Sequence, residues 1–124
     1  MREKTIADKM YLKSVKALAV INGGVHPTLV EQLPAHLLDE SEDEVDVVLV
    51  LALNQAQLEQ FLPSALARLG DKASLWIGFL KQSAPKATDL TRDLVEAYAG
   101  GFGVTGVALA SLDSDWSAIR FKRL

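Results

Sequence analysis

The run Val45-Asp46-Val47-Val48-Leu49-Val50-Leu51-Ala52-Leu53 decides the fold. It is rich in β-branched residues and broken by a single charge. It is too short for a buried helix and lacks the alternation of a half-wetted strand, so it reads as a strand covered on both faces. Leu75-Trp76-Ile77-Gly78-Phe79-Leu80 is a second run of the same kind. Between the two, Leu58, Phe61, Leu62, Ala65, Leu66 and Leu69 recur at helical spacing. Asn54 stands as the N-cap, with Gln57 three residues on to complete a capping box. Pro63 predicts a kink near Glu59, and Gly70 predicts the helix end. Two buried strands joined by a helix form a βαβ unit, whose strands are parallel and whose crossover is right-handed.

Upstream, residues 5–12 place Ile6, Ala7, Met10 and Tyr11 at the spacing of a short amphipathic helix. Lys16-Ala17-Leu18-Ala19-Val20-Ile21 is a first buried strand, broken by Asn22-Gly23-Gly24. Pro27 suits the first position of a helix behind His26, with Leu29, Val30 and Leu33 on its apolar side and Pro34 ending it. Residues 35–38 add a turn, and the acidic run over 39–44 reads as a solvated loop. Downstream, Gly78 marks a point of close approach to the backbone, and 81–86 form a polar loop. Thr88 or Asp89 caps a last helix with Leu90, Leu94, Ala97 and Tyr98 on its buried side, stopped by Gly100-Gly101. Residues 104–112 and 116–122 are strands joined by Asp113-Ser114-Asp115, a loop so short that they must be antiparallel neighbours. The expectation is a single α/β domain over residues 1–124. Its sheet is Rossmann-like and mostly parallel, with about five strands, crossover helices in two or three layers and a C-terminal antiparallel hairpin.

The chain has 124 residues, 49% of them hydrophobic and 23% charged, enough for a substantial core. The absence of cysteine excludes disulfides, thiolate metal sites and a cysteine nucleophile. A net charge of −3 disfavours nucleic acid as the main partner. Basic residues gather at both ends, with Lys9, Lys13 and Lys16 beside Arg2 and Lys4 at one, and Arg120, Lys122 and Arg123 at the other. They form a basic patch if the ends meet. No apolar run approaches the roughly 18–20 residues that span a bilayer. No apolar h-region follows Met1-Arg2-Glu3-Lys4-Thr5, so a cytoplasmic location without membrane contact is expected.

Several pieces occur in an order that resembles a family of small bacterial proteins known only as a domain of unknown function. They are Ala7-Asp8-Lys9-Met10, the strand at 16–21, Leu75-Trp76-Ile77-Gly78-Phe79-Leu80-Lys81, Thr88-Asp89-Leu90-Thr91 and Trp116-Ser117-Ala118-Ile119-Arg120-Phe121. Members carry proline where this chain has Leu80. They also have a proline in the loop after the first strand, where this chain offers Gly23-Gly24 and then Pro27. The resemblance implies an α/β fold and transfers no activity. The element order is also similar to the C-terminal half of a class I methyltransferase of the Rossmann-like kind. Against that likeness, no Gly-x-Gly-x-x-Gly follows the first strand, and no acidic residue ends a second strand about 20 positions later. Asn54-Gln55-Ala56 lacks the Pro-Pro-aromatic of an amino-methylating site. A strand-helix-strand section is missing between Leu38 and Val45.

If the parallel strands simply follow one another, right-handed crossovers put every connecting helix on one face. No reversal crevice then forms, and the other apolar face calls for a second subunit or another protein. Functional groups would gather at the strand C-terminal ends, where Asn22, Gly23, Gly24, His26, Asn54 and Lys81 are the candidate ligand-binding residues. Ser83 lacks a nucleophile elbow, and the acidic run lacks the spacing of a calcium loop, so no catalytic residue and no metal site is assigned. Trp76 reads as core, and Trp116 with Arg120 as a cation–π pair on one strand face. The leading expectation is a non-catalytic, self-associating or protein-binding module without a cofactor. The alternative is a reduced Rossmann-like binder of a nucleotide or S-adenosylmethionine, with transferase activity, lined by those same six residues.

Overall fold

A computed structural model describes residues 5–41 and 43–124; Arg2, Lys4 and Glu42 of the charged runs lie outside them. The elements are α1 (Ile6–Lys9), β1 (Leu18–Ile21), α2 (Pro27–Glu31), β2 (Val45–Ala52), α3 (Gln55–Ala67), β3 (Leu69–Leu80), α4 (Arg92–Gly100), β4 (Val104–Ser111) and β5 (Trp116–Arg123). Short 3-10 turns at Leu12–Ser14, Gly23–Val25 and Ala35–Leu37 link the early ones. The sheet runs β1-β2-β3-β5-β4. The first three strands are parallel, with Val48 between Ala19 and Leu75. β5 lies antiparallel to both β3 and β4. The open α/β sheet with its C-terminal hairpin is therefore as read from the sequence.

Both faces of β2 are buried because its side chains divide at the strand period of two. Val48, Val50 and Ala52 join Leu58, Leu62 and Ala65 of α3 and Val95 and Ala99 of α4 in one core. Val47, Leu49 and Leu51 join Ile6, Met10, Leu12, Leu29, Leu33 and Leu37 in the other. The second face is thus not bare, which corrects the expectation that all crossover helices share one side. α1 and α2 cover the face that α3 and α4 leave open.

The cause is the path from β1 to β2. After α2 the chain runs to the outer edge of β1, where Leu38 makes a one-residue parallel bridge with Leu18. The Asp39 N–H donates to the Leu18 carbonyl at 2.9 Å. The chain then returns to Val45 past Arg68 at the end of α3, which donates to the carbonyls of Asp39 and Asp43. It has therefore gone outward on one side of β1 and come back on the other. The chain direction across the sheet thus reverses after β1, contrary to the expectation of strands that simply follow one another, and the path leaves a groove along the outer edge of β1.

Other boundaries shift for local reasons. α3 stops at Ala67 rather than at Gly70, because Leu69 already pairs with Val45 at the start of β3. From there the register jumps to Val47 against Ser74, so residues 70–73 stand opposite Asp46 alone. α4 is capped by Thr91, whose hydroxyl accepts from the Leu94 N–H. Its buried residues are accordingly Val95 and Ala99, and Leu94 is exposed. At Gly78 the anticipated neighbour is Leu51, whose Cδ2 would lie 2.6 Å from an added Cβ.

Candidate functional site

The carboxyl ends of β1, β2 and β3 carry the six residues singled out from the sequence, and the structure divides them into three groups. Asn22 and Asn54 form the first. Asn22 holds a left-handed backbone (φ 63°) and turns its amide onto the Leu51 carbonyl at 2.8 Å and Gln57 Oε1 at 3.0 Å. Asn54 caps α3 by accepting from the Gln57 N–H at 2.9 Å. The expected capping box is displaced by one residue, since Gln57 Oε1 accepts from the Leu53 N–H rather than from that of Asn54. This network closes the space between the ends of β1 and β2.

Gly23 and Gly24 form the second group. They line a groove of about 600 Å³ along the free edge of β1, walled by Pro27 and Val30 and reaching Asp39, Glu40 and Arg68. A Cβ on Gly23 would lie 3.0 Å from methyls of Val20 and Val30, so the turn is packed tightly there. A Cβ on Gly24 would meet nothing within 4 Å. Asp39 follows the one-residue bridge at Leu38, so acidic residues stand beside the glycine turn although no strand precedes them. Asp39 pairs with Arg68 at 3.1 Å. Its carboxyl is held below the usual range by hydrogen bonds from the Ser41 hydroxyl and N–H and by Arg68, against a smaller effect of burial. Glu31 lines the same groove.

His26 and Lys81 form the third group, brought together by a residue the sequence reading took only for a turn. His26 Nε2 lies 2.7 Å from Asp113 Oδ2. The Lys81 ammonium donates to Ser111 Oγ at 2.6 Å and to the Asp113 carbonyl at 2.8 Å. Lys81 therefore fixes the hairpin turn rather than offering a free charge. Burial opposes ionisation of Asp113. The bonds from His26 and from the N–H groups of Asp115 and Trp116 outweigh it and lower its carboxyl below the ordinary value. An ionised carboxylate only accepts, so His26 Nε2 carries the hydrogen between them, and Nδ1 lies 3.3 Å from the Thr28 hydroxyl. The imidazole stacks on Trp116 with ring centres 5.3 Å apart. The expected Trp116–Arg120 pair does not form; the Arg120 guanidinium lies over Tyr11 instead.

The only clue to Asp113 was topological. β4 runs parallel to β3 because both oppose β5, so the β4–β5 turn falls at the carboxyl end of the sheet. A hollow of about 410 Å³ opens beside Trp116, floored by Val25, Leu53 and Leu80. At the start of α3, Gln55 Oε1 is buried without a hydrogen-bond partner among the described residues. No group of metal-ligating side chains occurs among the described residues. No helix among them is long and apolar enough to cross a membrane.

The fold is that of methyltransferase-like Rossmann proteins, as solved structures show. The chain is similar to LepI bound to SAM (11% identity, TM-score 0.57, covering 96% of this chain and 46% of that one). It is similar to the N,N-8-amino-8-demethyl-D-riboflavin dimethyltransferase RosA from Streptomyces davawensis (13%, 0.63, 96% and 54%). It is also similar to the O-methyltransferase NcsB1 from neocarzinostatin biosynthesis, in complex with S-adenosylmethionine and a naphthoic acid (8%, 0.61, 90% and 50%). The chain spans about half the length of each of these. No protein-family model matches the sequence, and no curated protein matches it. The resemblance to the uncharacterised bacterial family thus gains no support, whereas that to the methyltransferase fold holds. These likenesses also overturn the leading expectation of a cofactor-free, non-catalytic module, because the fold is shared with proteins solved with S-adenosylmethionine.

Proposed function

We propose that the chain is a reduced Rossmann-like module that binds S-adenosylmethionine along the groove beside β1 and serves methyl transfer. The observation that carries this reading is the reversal of the chain at the Leu18–Leu38 bridge. It sets the Gly23-Gly24 turn and the acidic residues after Leu38 around one groove. The charge of that groove selects among adenosine ligands. Arg68 is already engaged by Asp39, which leaves Glu31 and Glu40 as the charges of the lining without an ion pair among the described residues. Carboxylates favour the sulfonium and ammonium of S-adenosylmethionine and repel the phosphates of a nucleotide. The open side of Gly24, which lines the groove, fits such a ligand. When bound, S-adenosylmethionine supplies an electrophilic methyl group. His26, held by Asp113 at the same end of the sheet, is the side chain we assign to take the proton that an acceptor hydroxyl or amine loses.

A thermal-shift and calorimetric panel of S-adenosylmethionine, S-adenosylhomocysteine, ATP and NAD tests this. S-adenosylmethionine should raise the melting temperature, and a Glu31→Lys, Glu40→Lys double substitution should abolish the shift. His26→Asn should retain binding and lose transfer. A flat response to both S-adenosyl compounds, or a response to ATP alone, sinks the reading.

A further inference from the structure

At the opposite end of the sheet, three unusual features meet in one hollow of about 500 Å³ between the α1 segment and the amino ends of β2 and β3. The first is Tyr11, which holds a left-handed backbone (φ 57°, ψ 44°) although it is neither glycine nor asparagine, and whose side chain is exposed. Bulky residues in that region are rare and recur where a ligand is clamped. The second is the bulge in β3, where the register against β2 jumps and residues 70–73 stand opposite Asp46 alone. Such irregularities re-aim side chains beside binding sites. The third is Arg120. Its Nε donates to Ser74 Oγ at 3.1 Å, and its guanidinium lies 5.9 Å from the Tyr11 ring centre. Among the described residues no carboxylate pairs with it.

A half-buried guanidinium without a counter-ion is poised for one, and its planar fork suits an oxyanion. Lys72 lines the same hollow, and Lys122 stands in register with Ser74. Lys13 and Lys16 flank the lining residues Ser14 and Val15. Of the two basic ends of the sequence, Arg2 and Lys4 lie outside the described residues, Lys9 reaches the Leu112 carbonyl, and Arg123 bonds the carbonyls of Leu66 and Leu69. Lys13, Lys16, Arg120 and Lys122 stand about this hollow. Two acids oppose them. Asp46 is engaged by the Lys16 N–H at 2.8 Å, and Asp71 is exposed at the rim. Met10, Val45, Val47 and Ala73 supply apolar wall.

We infer that this hollow is a second binding site, for a small molecule that carries a carboxylate or phosphoryl group on a flat apolar ring. Arg120 and Lys72 take the oxyanion, and Tyr11 covers the ring. The site is distant from the strand carboxyl ends and does not depend on the reading given above. Backbone and arginine Nε amide spectra of the full chain, titrated with phenyl phosphate, benzoate and inorganic phosphate, provide the test. Signals of Tyr11, residues 70–74 and Arg120 Nε should move with at least one aromatic anion, and which one moves them names the oxyanion. Arg120→Gln should weaken that binding by about tenfold or more. Lys72→Ala, an exposed position that leaves packing intact, should weaken it several-fold. The inference is overturned if neither aromatic anion moves these signals, or if both variants bind as the parent does.

Discussion

Asp113 and His26 hold each other through a bond that fixes which imidazole nitrogen keeps its hydrogen. Because the Asp113 carboxyl titrates lower in the folded chain than in the unfolded one, its contribution to stability is complete above about pH 4. That contribution is lost as pH falls through the lowered folded value. Urea unfolding across an acid pH series should therefore show a weaker pH dependence below about pH 4 for Asp113→Asn than for the parent chain. The slope that remains belongs in part to Asp39, whose carboxyl is likewise held low by Ser41 and Arg68. An unchanged slope in the variant counts against the pairing. His26 was legible as a candidate because glycine and proline surround it at a strand end. Asp113 was not, since it lies 87 positions away and local spacing says nothing about it.

At the scale of the element, the start of α3 was readable to the residue, because an asparagine cap needs only its own side chain and the next turn. The wider role of Gln57 was hidden, for its partners Asn22 and Leu53 meet only once β1 and β2 are side by side. Replacing Asn54 by alanine should cost about 1 kcal/mol, the usual loss of a cap. Replacing Gln57 by leucine leaves the part-buried Leu53 N–H unpaired and takes from the Asn22 amide one of its two partners, and should cost more, about 1–3 kcal/mol. Chemical denaturation measures both, and a larger loss for the Asn54 variant would contradict the network. The phase of α4 escaped the sequence for a similar reason. Thr88, Asp89 and Thr91 are all sound caps locally. Thr88 is drawn away to the Leu53 carbonyl and Asp89 to the Gln55 N–H, which leaves Thr91.

For the molecule as a whole, the buried strands were legible because unbroken apolar runs admit no wet face. Which helix covers which face was not, because that depends on one bridge of a single residue pair. Deleting the residues through Ser14 removes Ile6, Met10 and Leu12 from the second core, which they share with Leu18 and Trp76. Each such side chain contributes about 1.5–3 kcal/mol when buried, so the loss is a large part of a typical stability of about 5–15 kcal/mol. The shortened chain should melt well below the parent and bind a hydrophobic dye; equal melting would show that the face is closed by other means. The bridge at Leu38 has one more consequence. Beyond it the margin of β1 lies open, and the acidic loop returns to Val45 without threading through either core. That loop is a seam into which an extra ribbon, helix and return ribbon can be grafted, so a longer relative could grow there while the remaining architecture keeps its shape.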